Sequence, residues 1–287
     1  ATWVNMVQRT QTSHLPDPYD PTPVEQGIGV YYTDMNYGRI SFAVIEDRKW
    51  KSGPKGLCPA TGDRADHVTD PKFDPRTADV PGAVLLGRRQ LRFLTDWAAD
   101  WRGSDFKVAL SQTIFSGSCS LHGGNLMRLV VDYDCNGWPQ SGRNRALYEL
   151  RRGFALHIAG DQHLASIIQQ GIDQFNDAAW SLCVPSIAAG YPRVWQPLEP
   201  GQNRQPGLPD YTGEFLDGLG NRMTVWAVAN PQKEYRQGII ERARDKASGY
   251  GIARLNKTTR DITLEGWPLD VDPTAAGATQ YPGWPKT

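Results

Sequence analysis

The spacing of hydrophobic positions changes several times along the chain, and each change marks an element. After Gly38, the run Arg39-Ile40-Ser41-Phe42-Ala43-Val44-Ile45-Glu46-Asp47-Arg48 alternates, turns apolar and ends in charges, which predicts a buried strand. Over residues 87–101, Leu91, Leu94, Ala98 and Trp101 recur at three and four positions while Arg88, Arg89, Arg92 and Asp96 fall between them. That spacing predicts a helix with its apolar stripe against a sheet. Residues 106–113 then predict a second strand, 144–151 a short helix closed by Gly153, and 154–160 a third strand. Residues 223–229 add another strand, while 250–255 and 261–267 form a hairpin turned by 256–260. Strands separated by helices and closed by a hairpin imply an α/β sandwich.

Two stretches lack such a period. Residues 1–27 open on Trp3-Val4-Asn5-Met6-Val7 and enter alternating prolines between Pro16 and Pro23, which reads as an arm crossing the surface. Residues 51–82 are polar and rich in Pro, Gly and Asp, too long for a simple connection and so expected to be functional or disordered. With no internal repeat and no Ser/Gly linker, one domain over 1–287 is the economical count.

Composition removes several function classes. Lys+Arg and Asp+Glu each total 31, so no basic excess exists to neutralise a nucleic-acid backbone or an anionic membrane. No run approaches the roughly 20 apolar residues of a bilayer span. Cys58, Cys119, Cys135 and Cys183 lie too far apart for a C-x-x-C zinc or redox motif. Serine-elbow, P-loop and dinucleotide fingerprints are absent from the sequence as well.

The sharpest chemical signal is Gly160-Asp161-Gln162-His163, which sets a carboxylate and an imidazole just beyond a strand's carboxyl end, where α/β folds place ligands. Oxygen and nitrogen donors this close suit a hard or borderline metal ion, and Gly160 would let the backbone approach it; a strand-end turn with a capping Asp is the alternative. His157, inside the apolar strand, is expected to be a hydrogen-bonded core residue, with support of the strand-end site as the alternative. Val131-Asp132-Tyr133-Asp134-Cys135-Asn136-Gly137 ends a strand-like run in two carboxylates, and Arg143 or Arg145 beyond it could grip an oxyanion. His122, on Leu121-His122-Gly123-Gly124, suits a ligand or a general acid, with a solvated loop histidine as the alternative. Gly62-Asp63-Arg64-Ala65-Asp66-His67 also has metal-ligating residues, but no strand precedes it, and it is set aside.

In order along the chain, several blocks resemble the PhoD-like (alkaline phosphatase D) metallophosphatases of the calcineurin-like metallophosphoesterase superfamily. Gly38 to Arg48 resembles their strand ending in Asp-Arg, Leu86-Gly87-Arg88-Arg89-Gln90-Leu91-Arg92-Phe93-Leu94 their helix start, and Lys107 to Thr113 their Lys-Val-x-x-Ser-Gln strand. Asp134-Cys135-Asn136-Gly137-Trp138-Pro139 with Arg143 resembles Asp-x-x-x-Gly-Tyr-Pro followed by Arg, with Trp138 in the Tyr place. Gly160-Asp161-Gln162-His163 resembles the Gly-Asp-x-His metal motif, and Gly249 to Arg254 with Glu265-Gly266-Trp267-Pro268 resembles the closing hairpin.

The resemblance implies a metallophosphoesterase-like αββα sandwich and hydrolysis of phosphomonoesters or phosphodiesters by a metal-activated hydroxide. It implies Asp161, His163 and Asp134 as metal ligands, iron and calcium as the ions, and Arg143 or Asn136 as phosphate contacts. His122 would ligate metal or protonate the leaving oxygen. The family's N-terminal metal blocks have no counterpart, so the chain resembles the C-terminal half alone; the resemblance then implies either a separate chain that supplies the remaining ligands or a truncated product with an incomplete centre. Family members are commonly exported, which implies an extracytoplasmic place. The competing expectation is a non-catalytic binding or structural subunit that keeps a half-sandwich fold and covers its apolar sheet face with a partner.

Overall fold

The computed structural model describes residues 1–61, 64–188 and 191–287. The helices are α1 (Thr2–Thr12), α2 (Gly87–Ala99), α3 (Gln140–Arg152) and α4 (Ile239–Asp245). In chain order the strands are β1 (Thr33–Tyr37), β2 (Ile40–Val44), β3 (His67–Val68), β4 (Phe106–Thr113), β5 (Leu121–His122), β6 (Met127–Arg128), β7 (Val131–Asp132) and β8 (Leu156–Gly160). They continue as β9 (Ser166–Gln170), β10 (Trp180–Cys183), β11 (Arg193–Val194), β12 (Gly213–Leu216), β13 (Arg222–Val228), β14 (Gly249–Leu255) and β15 (Ile262–Pro268).

Eight strands form one sheet in the order β1-β2-β4-β8-β10-β9-β13-β12. β2, β4, β8 and β10 run parallel, and the outer neighbours pair antiparallel. The parallel strands are buried on both faces, which is why their sequences run apolar instead of alternating with charge. On one face Ala43, Ala109 and Ala155 leave room for α2 and α3, whose Phe93, Leu94, Trp97, Leu147 and Leu150 fill that layer. On the other, Val108, Leu156, Ile167 and Leu182 meet Leu264 of β15 and the C-terminal Trp284. One helix layer is therefore present as the αββα expectation requires. Opposite it lies the β14–β15 hairpin in place of a second large sheet with helices of its own.

β2, β4, β8, β13, the hairpin, α2 and α3 form where the hydrophobic spacing predicts them. The expected surface arm is corrected at its start, because Thr2–Thr12 is helical. None of its residues is buried, and it docks through polar groups: Asn5 Nδ2 donates to Gly27 O at 2.8 Å and Gly29 N donates to Asn5 Oδ1 at 2.7 Å. Its apolar residues Trp3, Val4, Met6 and Val7 stay exposed, so they report no buried face. Within residues 51–82, Val68 and Ala78 are buried with Tyr133 and Trp138, so much of that polar segment is packed.

His157 sits at the middle of the sheet, fully buried, as expected of a core histidine. Ser111 Oγ lies 2.7 Å from its Nε2 and Ser181 Oγ 3.0 Å from its Nδ1, while Gln170 Nε2 donates to Ser181 Oγ at 3.1 Å. The chain of hydrogen bonds ties β4, β8, β9 and β10, and burial pushes the imidazole pKa down from 6.5 to about 3. The unfolded chain takes this proton near pH 6.5 and the folded chain only near pH 3. Its contribution is thus full above pH 6.5 and falls as the pH drops through that window, by up to about 1.4 kcal/mol per pH unit. Urea unfolding at stepped pH is expected to show a shallower acid limb for His157→Gln than for the parent; parallel limbs would refute this assignment.

Candidate metal centre at the strand ends

Parallel strands bring their carboxyl ends to one edge, and the chain places polar residues there. Asp47 and Arg48 follow β2, Thr113 ends β4, and Asp161 follows β8. Asp47 is 1% exposed; its Oδ2 accepts from Thr113 N at 2.9 Å and from Asn136 Nδ2 at 2.6 Å. Burial pushes this carboxyl above the usual range despite those donors. Asn136 Nδ2 also donates to Thr113 O at 2.9 Å, and its buried Oδ1 has no hydrogen-bond partner among the described residues.

Arg48 joins the two exposed carboxylates of this edge. Its Nη1 donates to Asp134 Oδ1 at 2.7 Å and its Nη2 to Asp161 Oδ2 at 2.6 Å. Burial opposes its charge, but Asp134 and Asp161 outweigh that and hold its pKa above the usual value. Thr113 Oγ1 also donates to Asp161 Oδ2, at 3.0 Å. Lys51 fixes the Asp134 loop from behind by donating to the carbonyls of Tyr133, Asp134 and Cys135 at 2.7–2.8 Å.

In the turn after β8, Asp161 and His163 adopt left-handed backbone conformations, with φ of 61° and 56°. Such conformations cost about 1 kcal/mol or more for a residue with a Cβ, so the surrounding structure imposes this turn. Gly160 has no such requirement: a Cβ there would meet Val184 Cγ2 at 3.7 Å, an ordinary contact. His163 Nδ1 lies 2.9 Å from Tyr191 O. A carbonyl only accepts, so the ring proton sits on Nδ1 and the lone pair on Nε2, the tautomer of a metal-ligating histidine.

Asp134 and Asp161 are donors of the kind a divalent ion takes, but among the described residues Asp134, Asp161 and His163 do not form a group whose donor atoms all lie within 4.8 Å of one another. An ion taking both carboxylates would have to displace Arg48, whose single positive charge pairs with both of them.

The remaining expected residues lie elsewhere or are otherwise engaged. Arg143 is 1% exposed within α3, and its guanidinium donates to Phe115 O, Asn144 Oδ1, Gly171 O, Gln170 Oε1 and Arg222 O at 2.7–3.2 Å. Burial pushes its pKa down to about 10. A phosphate could reach it only by displacing those acceptors, so the structure gives Arg143 a supporting role in the core. Asn136 spends its amide N–H groups on Asp47 and Thr113 and offers only an acceptor, which does not suit a phosphate oxygen. His122 is in β5, 3% exposed, not on a solvated loop. Its Nδ1 contacts the Tyr191 hydroxyl, and burial, then the neighbouring His67, pushes its pKa down.

The sequence marks Asp47 and Arg48 only as a strand end and gives them no site role, and Asp66 and His67 were set aside. Among the described residues, Asp66, His67 and Asp132 are the group of three potential ligand residues whose donor atoms all lie within 4.8 Å of one another. The short strand β3 that brings His67 against Asp132 was invisible in a polar segment, and Gly62 and Asp63 of the same motif lie outside the described residues.

No family model and no curated protein matches the chain. A solved structure of PhoD aligns with 65% of this chain at 18% identity and a TM-score of 0.44. The chain spans about a third of that structure, 34% of its length. A likeness at that level decides neither fold nor activity.

Proposed function

We propose that the chain takes part in metal-dependent hydrolysis of phosphate esters, with Asp161, His163 and Asp134 as ligands. The observation that carries this reading is the convergence of Asp134 and Asp161 on a single cation, Arg48, at the carboxyl ends of the parallel strands. On the same turn as Asp161, His163 has its Nδ1 2.9 Å from Tyr191 O, which leaves the ring's lone pair on Nε2. Iron and calcium are the ions that the sequence resemblance favours. Bound there, such ions would lower the pKa of a water and neutralise phosphoryl oxygens.

The protein's own groups have separable tasks in this proposal. Asp134 and Asp161 supply anionic donors, and Tyr191 O fixes the His163 tautomer. Arg48, once released by the carboxylates, turns its planar N–H fork toward phosphoryl oxygens. Asp47 and Asn136 hold Thr113 and the base of the site from below. A separate chain contributing further carboxylates would complete the metal centre, and an extracytoplasmic location accords with the same resemblance.

The Arg48 pairs also favour a second reading, a binding or structural subunit whose carboxylates are held by an arginine without metal. Chelator-treated chain supplied with iron, calcium or manganese salts separates the two, with release from a chromogenic phosphomonoester and a phosphodiester as the readout. Ion-dependent turnover is expected. Absence of turnover with every ion would leave the subunit reading in place.

A further inference from the structure

We infer that Asp66, His67 and Asp132, with His122 beside them, form a binding site for a divalent ion of the zinc class, separate from the strand-end carboxylates. The inference does not rest on the proposed hydrolysis, because it uses different donors.

Three observations carry it. First, β3 pairs with β7 so that His67 stands directly opposite Asp132, which fixes a nitrogen and an oxygen donor on adjacent strands. With Asp66 their donor atoms lie within 4.8 Å of one another. Ligand bonds of about 2.0–2.2 Å place tetrahedral donors within roughly 3.5 Å, so a modest contraction around an ion is required. Second, the site is enclosed: His67 and Asp132 are each 4% exposed. Third, the His122 ring stands nearly perpendicular to the His67 ring, at 82° and 4.6 Å between centroids, and its Nε2 is buried with no hydrogen-bond partner among the described residues. An imidazole nitrogen left that way is costly unless a ligand satisfies it.

The charges around the group are consistent with this use. Arg193 pairs with Asp132 Oδ2, Asp134 N donates to Asp132 Oδ1 at 2.9 Å, and Arg64 donates to both oxygens of Asp66 at 2.6–2.9 Å. Each carboxylate oxygen keeps a further lone pair, and ligating carboxylates are commonly held by such outer hydrogen bonds. The Tyr191 hydroxyl holds His122 Nδ1 in the same way. Two imidazoles with carboxylates select zinc, cobalt or nickel over magnesium or calcium, which take oxygen ligands.

The test is titration of the chelator-stripped chain with zinc chloride by calorimetry, in an Asp161→Asn/His163→Ala background that removes the strand-end donors. Cobalt absorption spectra provide a second readout of histidine ligation. One zinc equivalent is expected, with affinity falling about tenfold or more in His67→Gln and in His122→Gln. Unchanged affinity in His67→Gln, or zinc binding that vanishes in the background variant alone while His67→Gln in the parent retains it, would overturn the assignment. Should His67→Gln fail to fold, Asp132→Asn carries the same test.

Discussion

Arg143→Met is expected to destabilise the fold by about 3 kcal/mol or more, the largest single-residue effect on stability anticipated here. The guanidinium lies in the core where α3 meets the end of β9, the start of β13 and the Phe115 backbone, and its acceptors are all neutral oxygens. Methionine fills much of the volume but donates nothing. Three buried acceptors, Phe115 O, Gly171 O and Gln170 Oε1, lose this partner together, and an unsatisfied buried polar group costs about 1–3 kcal/mol each before relief of the buried charge is counted against it. Arg143→Lys is expected to recover only part of the loss, because an ammonium group cannot span acceptors that a planar fork reaches. Urea midpoints for the three proteins check this. A loss below about 1 kcal/mol for the methionine variant would contradict the structural role.

The second large effect concerns activity. Asp161→Asn together with His163→Ala is expected to lower ion-dependent hydrolysis by about 100-fold or more while leaving a folded chain. Both residues follow β8 on a turn outside the main apolar clusters, so their removal opens no core cavity. Asparagine tolerates the left-handed backbone at 161, and alanine at 163 adds about 1 kcal/mol of strain at most. Arg48 keeps its bond to Asp134. Hydrolysis measured across ion concentrations, with circular dichroism as the check on folding, provides the test. Retained turnover would remove Asp161 and His163 from the reaction.

Much of the fold was legible because apolar spacing reports burial directly. The alternation after Gly38 and the three- and four-residue spacing of Leu91, Leu94 and Ala98 gave β2 and α2 nearly to their ends. α1 escaped because its contacts are amide hydrogen bonds, and β9 and β10 because Ser166–Gln170 and Trp180–Cys183 are short and flanked by polar turns. At the site, Gly160-Asp161-Gln162-His163 announced a strand-end turn, while the link from Asp161 to Arg48, 113 positions away, did not appear in any local motif. Arg143 misled for a related reason: an arginine near two carboxylates reads as an anion clamp, and only the surrounding carbonyls reveal a core support. Asp66 and His67 lay in a segment whose polarity concealed a two-residue strand.

The most direct measurement is elemental analysis by plasma mass spectrometry of the parent chain beside the Asp161→Asn/His163→Ala variant, after both are dialysed against iron and calcium salts and freed of loose ions. The expected result is a stoichiometric ion in the parent, about one equivalent less in the variant, and phosphate-ester turnover only where the ion is held. A parent chain without iron or calcium, or equal ion content in the two proteins, would contradict a metal centre at the strand ends.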